Sequence, residues 1–195
     1  RALREARVRR GAWALVAAVT LAVWAPVLRY SWAYTWDDTL LFLMNPKFLN
    51  WDWGWVATSQ SLGHWMPLTW VTAYGTYLLF GFNPAAWHAV NVGLHAGSAV
   101  LVFFIAKRLI GSTEGALFAA LLFSVHPLRI ESVAWISELK DCLMGAFFLG
   151  AVLLWLHGRR GWAFAAFVAA CMAKSPAVLL PAMLVALEWY RYRAL

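Results

Sequence analysis

The chain has 195 residues, of which 63% are apolar in type, 16% aromatic and 13% charged, with a formal net charge of +7. A soluble domain carries about a quarter of its residues as charges, a disordered chain combines high charge with low hydrophobicity, and two cysteines exclude a disulfide scaffold. What remains is an integral membrane protein, read as one membrane domain over residues 1–195, with the lipid bilayer as its first partner.

In chain order, the first ten residues hold Arg1, Arg4, Arg7, Arg9 and Arg10. A basic cluster can signal nucleic acid. Here the remaining lysines and arginines fall singly or in pairs between apolar runs, which is how membrane orientation is fixed, so no nucleic-acid partner is expected. The uncharged run 12–28 has a signal peptide's charged start and apolar core but no small-x-small cleavage site, and it reads as a retained anchor. Opening on Arg1 rather than Met leads to the expectation that residues precede it or were removed.

A spanning helix needs about 20 largely apolar residues. Segments 12–30, 85–107, 112–127, 140–158, 160–173 and 175–190 are the predicted spans. Hydropathy alone adds a seventh at 67–82, but crossing there would export Lys107–Arg108 and Arg159–Arg160. With 67–82 on the outer surface, eleven of the sixteen basic residues lie inside. The predicted fold is therefore all-α: about six transmembrane helices, both termini cytoplasmic, and an outer helical loop over 31–83. Trp24, Trp32, Trp36, Trp51, Trp53, Trp55, Trp65 and Trp70 then gather near the outer interface, where they read as anchors.

This topology collects Asp37, Asp38, Asp52, Glu131, Glu138 and Asp141 on the outer side, with His64, His126, Arg129, Lys140 and Lys174. Carboxylates at a membrane interface are costly unless solvated or paired. Asp38 has two readings, a cap for the helix beginning at Thr39 or a group with a chemical role. Pro127 disfavours helix at His126 and ends the third span. The mixed charges that follow form either an internal ion-pair network, or a site where Arg129, Lys140 and Lys174 hold a phosphate while a carboxylate accepts a proton. His88 and His95 read as helix-packing or water-bonded groups, and Cys142 and Cys171 as structural. No histidine or carboxylate set has a recognised metal spacing, so no metal site is assigned and a divalent metal has no residue-level support.

Three stretches, taken in succession, resemble a family. The first runs from Asp37-Asp38 through Asn45-Pro46 and His64-Trp65-Met66-Pro67-Leu68-Thr69 to Asn83-Pro84-Ala85-Ala86-Trp87-His88-Ala89-Val90-Asn91-Val92-Gly93-Leu94-His95. The second holds His126-Pro127, Glu131-Ser132-Val133-Ala134-Trp135, Ser137-Glu138 and Lys140-Asp141, and the third is Ala173-Lys174-Ser175-Pro176. Their order is similar to that of membrane glycosyltransferases of the GT-C type, nearest to the transmembrane-and-tetratricopeptide-repeat O-mannosyltransferases and their bacterial counterparts. The resemblance covers roughly residues 36–190.

It implies transfer of a sugar outside the cytoplasm from a polyprenyl-phosphate donor, in a bacterial inner membrane with the active face periplasmic. It further implies that Asp38, or its neighbour Asp37, is general base or acceptor-orienting group. Lys140 and Lys174, with Arg129, would hold the lipid phosphate; His64, His126, Glu131, Glu138 and Asp141 complete the substrate-binding set. Arg129 stands where bacterial relatives often carry a second histidine, and Leu139 where they carry a basic residue. No tetratricopeptide repeats follow, and the family has about twice as many spans. The chain is thus expected to be either part of a longer enzyme, or a reduced module serving as a non-catalytic subunit that stabilises a larger membrane complex. The enzyme reading predicts a groove opening toward Asp38, His126, Lys140 and Lys174.

Overall fold

The computed structural model describes the backbone of residues 2–193 and the side chains of residues 11–192. Arg1 and the side chains of Arg4, Arg7, Arg9, Arg10 and Arg193, all expected in the cytoplasm, lie outside the described residues.

The first helix, α1 (Ala2–Trp24), tightens into a 3-10 turn over Ala25–Arg29, where Pro26 removes a backbone donor. Short pieces follow: a π-helical turn at Thr39–Leu43, α2 (Pro46–Leu49), α3 (Trp53–Thr58), then the two-residue strands β1 (Gln60–Ser61) and β2 (His64–Trp65). The strands pair antiparallel, Ser61 opposite His64, around Leu62 and Gly63 with φ of 53° and 77°. Positive φ at both central residues is the turn that matches strand twist, and it is a small departure from the all-α expectation. Next come α4 (Pro67–Phe80) and α5 (Pro84–Ile110), the latter capped by Asn83, whose side chain accepts from the Ala85 N–H at 3.1 Å. The remaining helices are α6 (Thr113–Val125), α7 (Ile130–Ala134), α8 (Leu139–Leu156), α9 (Arg160–Ala173) and α10 (Leu180–Arg193), with 3-10 turns at Pro127–Arg129, Ile136–Glu138 and Ser175–Leu179.

Three segments are long and apolar enough to cross a membrane: Gly11–Arg29, Pro84–Ile110 and Ile136–Leu156. A fourth crossing results if α6 and the Pro127–Ala134 segment, bent by 52°, act as one. The other predicted spans are helices of 13 residues (α6), 14 (α9) and 14 (α10), below the usual spanning length. Pro127 and Pro176 shorten them by ending regular helix at His126 and Lys174.

Small residues set the packing. Ala12 and Val16 of α1 meet Ala99, Phe103 and Ala106 of α5 and Ala116 and Ala120 of α6, and small side chains allow such close helix approach in lipid. Ala151, Val152 and Leu156 of α8 pack with Ile105 and Leu109 of α5, Ala166 and Phe167 of α9, and Leu180, Leu184 and Leu187 of α10. These contacts bring Lys107, Arg108, Arg159, Arg160 and Arg191 to one end of the bundle. There Glu188 pairs with Arg160 at 3.7 Å and Arg191 at 3.3 Å.

At the opposite end the 31–83 segment folds into an aromatic cap. Trp32, Phe42, Phe48, Trp70 and Trp87 form its core, closed by Ile136, Leu139 and Leu143 of the α8 region and by Ala173. Trp51 stacks on Tyr74 with centroids 3.9 Å apart, and the Thr69 hydroxyl donates to the Ala173 carbonyl at 3.0 Å. The anchor reading of the tryptophans therefore divides. Trp36, Trp53 and Trp65 are exposed, whereas Trp24, Trp32 and Trp70 are buried. Trp24 donates its indole N–H to the Ser124 carbonyl at 2.9 Å. Edge-to-face ring contacts give these indoles an interior role that composition alone does not separate from anchoring.

Candidate active site

The cap and the N-terminal ends of α5 and α8 converge on Asp38, which is 1% exposed. It does not cap the turn it precedes: no side-chain cap bond forms there. Instead its Oδ2 accepts from the Ala33 N–H at 2.9 Å, and its Oδ1 accepts from the Ser137 N–H at 2.9 Å and from the Ser137 hydroxyl. Three donors fix the orientation of this buried carboxylate. Of the two readings of Asp38, helix capping is thereby set aside. Asp37, next to it, is half-buried and has no hydrogen bond among the described residues.

The second charged cluster closes on itself. The Lys140 ammonium, 3% exposed, donates to Glu138 Oε1 at 2.6 Å and to the Ser137 carbonyl at 3.1 Å. Lys174 Nζ lies 3.4 Å from Glu138 Oε2 and contacts Asp141 Oδ1. Asp141 Oδ2 accepts from the Ser132 hydroxyl at 3.3 Å. Two cations and two carboxylates neutralise one another, which is the internal network foreseen as one of two readings. Burial alone would lower the pKa of Lys174, but Asp141 and Glu138 outweigh it and hold the amine above its usual value. His64 faces the same lysines; burial, seconded by the charges of Lys174 and Lys140, lowers its pKa, and its Nδ1 is buried without a partner.

Asp38 also borders a groove of about 480 Å³, shared with Tyr30, Trp36, His88, Ile130, Glu131 and Trp135. Trp36 and Trp135 meet edge to face, centroids 5.6 Å apart and planes at 88°. Glu131 is exposed and His88 buried. Of the four residues expected to share a groove, Asp38 alone lines this one. His126 caps the Pro127–Arg129 turn, its Nδ1 accepting from the Leu128 N–H at 3.2 Å. Arg129 lies over the Phe123 ring at 4.7 Å. It lines a separate pocket of about 100 Å³ with His95, Ser132 and Asp141. Lys140 and Lys174 belong to the ion-pair cluster. Among the described residues, no group of three His, Cys, Asp or Glu side chains converges at metal-binding distance.

Ser137 is the link that sequence reasoning passed over. Its N–H and hydroxyl hold Asp38, while its carbonyl is held by Lys140. The available signal was its place immediately before Glu138 in the second quoted stretch. His88, Asn91 and His95, all buried on α5, likewise recur at helical spacing, a polar face set toward the bundle interior. Ser137→Ala removes one donor to a buried carboxylate. It is expected to destabilise the folded chain by about 1.5–3 kcal/mol. Denaturant unfolding in mixed micelles checks this; an unchanged midpoint would show that the hydroxyl carries no weight.

Comparison with known proteins finds protein O-mannosyl-transferases among the relatives of this chain. The chain is 39% identical over 91 residues to a protein O-mannosyl-transferase of Drosophila melanogaster (Tmtc1), 45% of this chain and 11% of that protein. It is 32% identical over 159 residues to protein O-mannosyl-transferase TMTC1 of Mus musculus, 75% of this chain and 17% of the relative. For TMTC1 of Homo sapiens the figures are 31% over 156 residues, 73% and 18%. The chain is thus homologous to the protein O-mannosyl-transferases its motifs resemble, and it spans less than a fifth of the length of these curated relatives. No family model matches the chain, and no solved structure matches it significantly.

Proposed function

From its homology to the protein O-mannosyl-transferases, we propose that this chain carries the acceptor side of a glycosyl-transfer site, with Asp38 as general base. The donor is a polyprenyl-phosphate-linked sugar, mannose by analogy with the relatives, and the groove opens on the extracytoplasmic face. The observation that carries this reading is a buried carboxylate, fixed by Ala33 and Ser137, at the edge of a groove large enough for substrate. In the step, the acceptor hydroxyl oxygen bonds to the sugar's anomeric carbon, the bond to the lipid phosphate breaks, and Asp38 takes the hydroxyl proton. A carboxylate held by three donors cannot swing away, so it meets the hydroxyl in one geometry.

The groove's charge supports the acceptor assignment. Asp38 and Glu131 line it, and among the described residues no lysine or arginine does. A wall of that sign suits a neutral hydroxyl. Charge developing on the departing phosphate needs cations, and these come from outside this wall. The sorting of basic residues to the opposite end of the bundle supports the sidedness.

Ala134 lines the groove without touching the Asp38 hydrogen bonds, which makes it a reporter position. Ala134→Cys in sealed proteoliposomes is expected to be modified by an impermeant thiosulfonate reagent from the extracytoplasmic side. Modification should abolish mannose transfer from the polyprenyl-phosphate donor to a serine-containing peptide, and the peptide should slow the modification. Full modification with transfer intact would refute the groove as the site. An inactive unmodified protein, copurifying in a stoichiometric membrane complex, would favour the structural-subunit role.

A further inference from the structure

His88 lies on the groove side of α5 and is 1% exposed, yet neither of its ring nitrogens closes a hydrogen bond. The imidazole stands edge-on to Tyr30, centroids 6.2 Å apart, beside the backbone of Tyr30 and Ser31 without bonding geometry to either. Buried polar side chains are almost always paired, and an exception calls for a partner from outside the fold. Its neighbours along the same face are bonded: Asn91 Nδ2 donates to the Trp135 carbonyl at 2.9 Å, and His95 Nε2 meets the Ser124 carbonyl at 2.9 Å. The packing around α5 therefore gives each of these side chains at least one partner, although Asn91 Oδ1 stays unpaired. At His88 it leaves both nitrogens unbonded, on a side chain that lines a groove shared with Asp38.

We propose that His88 is a substrate-binding residue of this groove, whose imidazole hydrogen-bonds a substrate hydroxyl. A neutral imidazole offers one donor and one acceptor, which matches a hydroxyl's own acceptor and donor. The apolar and aromatic neighbours Tyr30, Trp36, Ile130 and Trp135 strengthen such a bond by excluding water. The hydroxyl belongs either to the sugar or to the acceptor, and the chemistry at His88 is the same for both. The inference rests on the groove being the transfer site proposed above, but it concerns binding and is testable without turnover.

The test uses the full chain in nanodiscs with ¹⁵N-labelled histidine. The His88 imidazole signals, assigned by their loss in His88→Phe, are followed during titration with octyl mannoside and, separately, with a serine-containing peptide. One probe or the other is expected to shift the His88 signals, identifying the hydroxyl as the sugar's or the acceptor's. His88→Phe should weaken binding of that probe about tenfold, the scale of one lost neutral hydrogen bond, and His88→Gln should recover part of it. Signals unmoved by both probes, or undiminished binding by His88→Phe, would overturn the proposal. If His88 shifts while Asp38→Asn leaves transfer undiminished, the binding role stands and the assignment of Asp38 falls. In active protein, the KM of the identified substrate should rise more than kcat falls. A merely structural histidine would instead lower the amount of folded protein and leave KM unchanged.

Discussion

Lys140→Met is expected to destabilise the folded chain by about 3–5 kcal/mol, the range for removing one partner of a buried ion pair. Lys140 is almost wholly enclosed, and its ammonium makes the 2.6 Å contact with Glu138. Without it, Glu138 keeps only the longer interaction with Lys174 at 3.4 Å. Methionine fills similar volume, so the loss is electrostatic rather than a cavity. The double change Lys140→Met with Glu138→Gln should therefore recover most of the stability, since the stranded charge is gone. Unfolding midpoints in mixed micelles measure both. If the single change were as stable as the parent, the cluster would be solvated rather than closed.

The same lysine has a second effect. By holding the Ser137 carbonyl at 3.1 Å it fixes the turn whose N–H and hydroxyl hold Asp38. The cluster expected to grip a phosphate thus works, in this geometry, as a clamp on the carboxylate. Its four charges are already matched.

How much of this was legible beforehand follows the range of each signal. The long helices were readable because 12–28 and 85–106 are uncharged, largely apolar runs, and the ends of α5 carry Asn83, Pro84 and Gly111, whose local chemistry dictates a start or a stop. The shorter helices were expected as full spans, whereas α6, α9 and α10 have 13, 14 and 14 residues, below the usual spanning length. Asp38, or its neighbour Asp37, was identified as the carboxylate of interest by the family resemblance rather than by position alone. Its partners were hidden, because Ser137 lies 99 residues further along the chain, and no periodicity reports a contact of that separation. The interior of the cap was hidden for a related reason. A tryptophan at an interface and one in a core have the same letter, and only packing of Trp32 against Phe82 and Trp87 tells them apart.

Asp38→Asn changes one atom of the proposed base and keeps its size, so it separates chemistry from packing. The amide cannot take a proton from an attacking hydroxyl, and loss of a positioned general base lowers rates by about 100- to 10,000-fold. Its carbonyl oxygen can still accept from Ser137, which preserves that anchor, while its NH₂ faces the Ala33 N–H and loses the second. The folded amount is expected to fall only slightly by comparison. The most direct measurement is mannose transfer from a polyprenyl-phosphate donor to a serine-containing peptide, wild type and Asp38→Asn side by side in proteoliposomes, normalised to folded protein. Here kcat should fall at least 100-fold on this scale, with peptide binding retained. Transfer at the wild-type rate by Asp38→Asn would contradict the account.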